Sequence, residues 1–277
     1  MTVEVIDRAS ALLERQFSAE VLPVVLDRYF EQTPTIELNA GVTFCDDEFS
    51  LRHNYIAHVP IPDESSWRKD SIEKYHGREF DLIRNIYCRV GVFALPTPLL
   101  EVIKRLNGIS DQEGDYIGVT RAIARYLVPR FGLIPSTFIE HPIVTHEPGL
   151  ISTTIDSKTS KRPGLHLDSW SEAESEGRFA SKIRFNVNLG PGDRAFTFAS
   201  KGLSQLDAPI APDAYYQFLR TYPGTPIFRI TLKPGTGYIA ATECVIHDGT
   251  TSVAQALGAM SYQVRARVAP RVSDIRF

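Results

Sequence analysis

The feature that most constrains this 277-residue chain is a pair of distant segments, Gly164-Leu165-His166-Leu167-Asp168 and Val245-Ile246-His247-Asp248-Gly249. Between them they offer two imidazoles and a carboxylate. Two His and one Asp on one face of an octahedron can hold a transition-metal ion and leave its other positions open. In extended backbone successive side chains alternate sides, so His166 and Asp168, one residue apart, point the same way. His247 follows Asp168 by 79 positions (247 − 168), too far for one local element. The fold must therefore bring another strand alongside, as a closed double sheet does.

Three further stretches read as strands that could build such a sheet. Lys233-Pro234-Gly235-Thr236-Gly237 is a turn signal, and Tyr238-Ile239-Ala240-Ala241 after it reads as a buried strand delivering His247 at its end. Lys182 to Leu189 alternates, with Arg184, Asn186 and Asn188 opposite Ile183, Phe185, Val187 and Leu189. Ser261 to Val268 alternates as well, placing Ser261, Gln263, Arg265 and Arg267 on one face. Turned inward, two guanidinium groups would be costly to bury unless anions met them. Turned outward, both arginines would simply be solvated. The same two orientations are open for Arg184 and Asn186.

With these residues in that order, the chain from about Gly164 to Arg267 resembles the Fe(II)/2-oxoglutarate-dependent dioxygenases. Their pattern is His-x-Asp, a long interval, His, then an Arg on a following strand. The resemblance implies an α+β fold with a mainly β core, a double-stranded β-helix (jelly roll, cupin-like) with N-terminal and bracing helices. It implies Fe(II) held by His166, Asp168 and His247, with 2-oxoglutarate and O2 as co-substrates. Arg265 and Arg267 follow His247 by 18 and 20 positions (265 − 247, 267 − 247). Arg265 is the favoured partner for the distal carboxylate, because a planar guanidinium pairs bidentately with one. Arg267 comes second, or meets substrate, and Arg184 or Asn186 would hydrogen-bond either ligand. The implied reaction oxidises a substrate C–H bond with release of succinate and CO2. Related halogenases lack the carboxylate, so Asp168 argues for hydroxylation, or for desaturation or cyclisation.

Composition agrees with one domain rather than two. At 43% hydrophobic content, residues 1–277 can bury a single substantial core. Residues 1–135 read as mainly helical, over Val3 to Gln32 (interrupted at Pro23), Ser71 to Tyr87, Pro98 to Leu106 and Tyr116 to Phe131, with residues 136–277 as the strand-rich core carrying the metal site. A formal charge of −3 leaves no basic field to attract nucleic acid. The acidic N-terminus does not read as a secretion signal, and no stretch is apolar enough to span a membrane. These features favour a cytoplasmic enzyme acting on a small molecule, such as an amino acid or natural-product intermediate. The three cysteines, Cys45, Cys88 and Cys244, form no recognisable disulfide or zinc pattern.

Other features are weighed against this site. His141 and His146, five apart, suit neither a helical nor a strand metal pair, so structural or pocket roles are expected. Segments 156–163 and 169–177 flank the metal motif where a lid would exclude water, or where ordinary loops would lie. Trp170 could pack on substrate or in the core. Two other functional classes stay open: a cupin-like metal-dependent enzyme that does not use 2-oxoglutarate, and a non-catalytic jelly-roll binding module.

Overall fold

The structure is a computed structural model that describes residues 25–26, 34–70, 90–109, 116–168, 182–202, 214–253 and 256–268. Among these residues the strands are β1 (Val25–Leu26), β2 (Ile36–Asn39), β3 (Val42–Phe44), β4 (Pro60–Pro62), β5 (Arg68–Asp70), β6 (Gly91–Ala94), β7 (Ile139–Glu140), β8 (Val144–His146), β9 (Ile183–Pro191), β10 (Arg194–Gly202), β11 (Ile227–Leu232), β12 (Thr236–Ala240), β13 (Val245–Thr250) and β14 (Ala259–Ala266). The α-helices are α1 (Asp47–His53), α2 (Thr97–Ile109), α3 (Ile117–Phe131) and α4 (Ala214–Thr221).

The strands form two principal sheets. One has the order β1-β6-β12-β9-β14-β7, with β8 also pairing to β14; the other has the order β13-β10-β11-β2-β5. The pairs β12·β9, β9·β14, β14·β8, β13·β10 and β10·β11 are all antiparallel. Strands β3 and β4 pair separately.

Strand β9 shows how the sequence builds the larger sheet. Its first eight residues are buried on both faces, which its mixed composition would not suggest. Ile183, Phe185, Val187 and Leu189 enter an apolar cluster with Tyr262 and Val264 of β14, Ile103 of α2, and Val119, Ile123, Leu127 and Phe131 of α3. The α3 residues recur every four positions and so share one helix face. Each fully buried aliphatic there contributes about 1.5–3 kcal/mol of burial. The alternate residues of β9, Arg184, Asn186 and Asn188, are thereby turned toward the second sheet.

Between the sheets lies a second cluster, in which Val92, Tyr238 and Ala240 meet Ile36, Phe196, Phe198, Phe228, Ile230 and Val245. The rings of Phe196 and Tyr238 stack across the gap with centroids 3.8 Å apart. The interior is therefore apolar at one end and polar at the other.

The structure corrects several expectations. Within residues 1–135, expected to be mainly helical, the described stretches 34–70 and 90–94 carry strands β2 to β6 and the seven-residue helix α1. Strands of three or four residues hold too few repeats to display a period of two, and their order comes from pairing with β11 and β12. The part of the Val3–Gln32 stretch that is described, β1, pairs parallel with β6; the rest, and Ser71 to Tyr87, lies outside the described residues. Helices expected over Pro98–Leu106 and Tyr116–Phe131 correspond to α2 and α3. Strand β12 does not itself deliver His247: Cys244 and Val245 both donate to the Ala241 carbonyl in a turn that carries the chain into β13 of the other sheet. Among the described residues no helix is long and apolar enough to cross a membrane.

Candidate metal centre

His166 and His247 are joined through their backbones. The His166 N–H donates to the His247 carbonyl at 3.0 Å, and the His247 N–H to the His166 carbonyl at 2.8 Å. This is an isolated antiparallel bridge rather than a regular strand at residues 164–168. The chain reaches it through Gly164, whose φ of +64° and whose contact with Pro60 exclude a side chain: a Cβ there would collide with the Pro60 carbonyl. The Leu165 N–H donates to that same carbonyl at 2.9 Å. Asp168 is held by its own N–H, donating to the Thr242 carbonyl at 3.1 Å.

The three side chains converge. Ligand atoms of His166, Asp168 and His247 all lie within 4.8 Å of one another, and all three residues are buried. His166 Nε2 is 3.6 Å from one Asp168 carboxylate oxygen and His247 Nε2 is 3.9 Å from the other. Each imidazole is fixed in the same way: Nδ1–H donates at 2.8 Å to the carbonyl two residues earlier, Gly164 for His166 and Val245 for His247. A carbonyl only accepts, so Nδ1 carries the proton and the Nε2 lone pair is turned toward Asp168. The His166 Nε2 atom is buried and has no hydrogen-bond partner among the described residues. A buried polar atom in that state calls for an explanation.

Arg184 of β9 completes the centre. Its guanidinium pairs with Asp168, both side chains being nearly inaccessible, and its Nη1 lies 3.4 Å from His247 Nε2. Burial alone would raise the Asp168 pKa, but Arg184, and then the two imidazoles, hold it well below the ordinary carboxylate range. Arg184 is in turn kept charged: burial opposes the cation, and Asp168 more than compensates. Burial pushes His247 down to about 3, keeping it neutral. His166 is shifted upward, because the carboxylates of Asp168 and Asp248 outweigh its burial. A neutral imidazole, an imidazole whose proton and a metal would compete for one lone pair, and an ionised carboxylate are a donor set that fits a divalent metal.

The remaining expected residues are distributed around this centre. Asn186, two residues from Arg184 on the same face, is buried and accepts from Arg194 Nη1 at 2.9 Å. Arg265 lies across from Arg184 in the β9·β14 register and is half-buried, its Nε donating to His141 Nε2 at 2.8 Å. His141 thus belongs to the rim of the interior, and burial, then Arg265 and Arg184, lower its pKa. His146 is buried against Ser261 at 3.0 Å. Arg267 corrects the expectation of an inward guanidinium. Strand β14 ends at Ala266, the Arg267 backbone bonds to Ile134 and Thr137 Oγ1, and its side chain is exposed. Trp170 and segment 169–177 lie outside the described residues. Segment 156–163 is a tight turn, with the Asp156 carboxylate accepting from the N–H groups of Lys158 and Thr159.

Sequence reasoning missed Arg194. It is 4% exposed at the start of β10, between two sheets, and the alternation Arg194, Phe196, Phe198 mixes a cation with aromatics on one face. A polarity pattern could not have singled it out. The Asp193 before it and the Gly192 turn were its sole local signals.

No protein-family model matches the chain, and no curated protein sequence does. Among solved structures, the apo form of the Kdo hydroxylase KdoO, a non-heme Fe(II) alphaketoglutarate-dependent dioxygenase, and its complex with succinate and Fe(III) are each 17% identical to this chain. The matched region covers 67% of this chain and 82% of theirs, at a TM-score of 0.36. The cobalt(II) complex is 18% identical with the same coverage and TM-score. At that degree of likeness no function is transferred from them.

Proposed function

We propose that this chain is a non-haem Fe(II)- and 2-oxoglutarate-dependent oxygenase built on a double-stranded β-helix, and that His166, Asp168 and His247 hold the metal. The observation that carries the reading is the His166 Nε2 atom, buried without a hydrogen-bond partner among the described residues and facing Asp168 and His247. The fold assignment draws support from the antiparallel run β8-β14-β9-β12 packed over β13-β10-β11. Two imidazoles and one carboxylate leave positions for a keto acid and O2.

When bound, the iron would supply oxidation of a substrate C–H bond coupled to conversion of 2-oxoglutarate and O2 into succinate and CO2. The chain's own residues do the rest. The Gly164 and Val245 carbonyls hold both imidazoles in the tautomer that presents Nε2. Arg184 orients Asp168 and keeps its carboxylate ionised. Arg184, Asn186 and Arg265 share the interior face of the larger sheet and supply donors for the carboxylates of co-substrate and substrate. The apolar wall of Phe196, Phe198 and Val245 beside His247 keeps water from the reacting centre. A small-molecule substrate, such as an amino acid or natural-product intermediate, suits an enclosed interior of this kind. The buried thiols of Cys45 and Cys244, which form no disulfide with each other, suit a reducing compartment, so a cytoplasmic location is part of the proposal.

Anaerobic titration of metal-free protein with Fe(II) and then 2-oxoglutarate tests the reading through the visible charge-transfer absorption of a chelated keto acid. The band should appear in wild type and be absent in Asp168→Ala. Iron binding without a band would favour a metal enzyme that does not use 2-oxoglutarate. No iron binding would leave a binding module.

A further inference from the structure

We propose that Arg265, held in place by His141, binds an oxyanion group of the substrate at the rim of the metal centre, so that the substrate is a small carboxylic, sulfonic or phosphoric acid. This rests on the oxygenase reading above and names its substrate class; the ligand assigned to Arg265 is the substrate, not the co-substrate.

The first observation is position. Arg265 lies opposite Arg184 in the β9·β14 register, on the interior face of the larger sheet, which sets the two Cβ atoms about 5 Å apart. Arg184 reaches Asp168 and lies 3.4 Å from His247 Nε2. Arg265 is thus about 10 Å, or two strand spacings, from the His166-Asp168-His247 centre. It is half-buried, near the point where β14 stops at Ala266, whereas the three metal-centre residues are buried. A molecule entering from solvent therefore meets this guanidinium on its way to the centre.

The second observation is the pair that Arg265 makes with His141. Arg265 Nε donates to His141 Nε2 at 2.8 Å, and the His141 N–H donates to the Gln263 carbonyl at 3.0 Å, which ties the imidazole to β14. A guanidinium only donates, so Nε2 supplies a lone pair and the ring is neutral. Burial, then Arg265 and Arg184, lower the His141 pKa and keep the ring in that state, against the pull of Asp168. With Nε turned to His141, the Nη1–Nη2 edge of the fork is the other recognition edge, and its two parallel N–H donors match two oxygens of an oxyanion. Burial, and then the Arg184 charge, work against the Arg265 cation, with Asp168 and Glu243 offsetting part of this, so an arriving anion is favoured. Two residues on, the Arg267 side chain is exposed, and the fold thus sets one of the two arginines at the rim.

The test measures binding on Mn(II)-loaded protein saturated with 2-oxoglutarate. The probe is methanesulfonate, an oxyanion too weakly basic to displace a metal ligand, and the paramagnetic relaxation of its methyl protons reports their distance from Mn(II). Wild type should show a saturable enhancement that places the methyl group within about 10 Å of the ion. In Arg265→Met the midpoint of that saturation should rise about 20-fold while 2-oxoglutarate affinity is retained, the size of a lost charge-assisted contact. Arg265→Lys, which keeps the charge and guards against misfolding of the first variant, should lose less, since an ammonium cannot pair bidentately. His141 is a positioning residue: His141→Leu should weaken methanesulfonate about fivefold, and His141→Gln, whose amide oxygen accepts the same N–H, should restore it. Absence of a saturable enhancement in wild type, an undiminished one in Arg265→Met, or a parallel loss of 2-oxoglutarate affinity in Arg265→Lys would overturn the assignment while leaving the co-substrate reading intact. If wild type binds neither Mn(II) nor 2-oxoglutarate, both fail together.

Discussion

His166 and His247, 81 positions apart in sequence (247 − 166), exchange backbone hydrogen bonds in both directions and hold their rings 4.7 Å apart. A hydrogen-bonded antiparallel pair presents its two side chains on one face. The spacing of the two imidazoles is therefore set by main-chain geometry, and each ring is further fixed by its Nδ1 bond to a carbonyl. Little reorganisation is left for metal binding to accomplish.

Arg184 stands in for positive charge at this centre in the metal-free protein, which makes its removal informative. Arg184→Met leaves the buried Asp168 carboxylate without its guanidinium, and breaking a buried pair costs about 3–5 kcal/mol. The metal-free Tm should drop by about 10 °C. Saturating Co(II) should then raise the variant's Tm by more than it raises that of wild type, because the ion replaces the missing charge. Scanning fluorimetry with and without Co(II) reads both; an unchanged metal-free Tm would show that Asp168 does not depend on Arg184.

Acid should destabilise the metal-free protein through two buried imidazoles that stay neutral in the folded state. Burial pushes His146 and His247 down to about 3 in the folded state. Their unfolded pKa is about 6.5, so below that pH the unfolded chain takes up protons that the folded chain refuses. Stability present above pH 6.5 is thus lost progressively toward pH 3, while the upward-shifted His166 and Asp248, whose carboxyl burial raises to about 6, act in the opposite direction. His146→Gln should flatten the dependence. Urea midpoints at pH 7.5, 6 and 4.5 measure it, and a midpoint constant over that range would contradict the placement of these imidazoles.

Away from the candidate metal centre, Arg229 ties the outer face of the smaller sheet. It donates from Nε to Glu37 at 2.8 Å and from Nη1 to Glu64 at 3.1 Å, and it lies 4.0 Å above the Trp67 ring. Arg229→Met should cost about 1–3 kcal/mol, less than a fully buried pair because Glu64 is partly exposed. Arg229→Lys should recover little, since an ammonium lacks the planar fork that serves both acids and the ring. Chemical denaturation checks both variants, and wild-type stability in the Met variant would remove the cluster from the account.

The convergence of His166, Asp168 and His247 was more legible in the sequence than the fold around it. His166-x-Asp168 needs only extended backbone to aim both side chains together, and a single bridge sufficed where a full strand was expected. The polar face of β9 was visible as alternation, but its direction was not: only the helices packed on Phe185 and Val187 turn Arg184 and Asn186 inward. Arg265 and Arg267 share a face by parity, yet the strand ends between them, and where a strand ends is set by its partners. Arg194 left no trace in the pattern, because its burial follows from tertiary neighbours and from the missing side chain at Gly249. Short strands such as β2 and β5 exist through pairing to β11 and to each other, not through their own composition.

The most direct test of the central claim is anaerobic equilibrium dialysis of Fe(II) against wild type, Asp168→Ala and His247→Ala. The account predicts one ion per chain in wild type and a loss of affinity of about 100-fold or more in each variant, in line with removal of a direct ligand. Wild-type affinity in both variants would contradict it and return His166, Asp168 and His247 to a purely structural role.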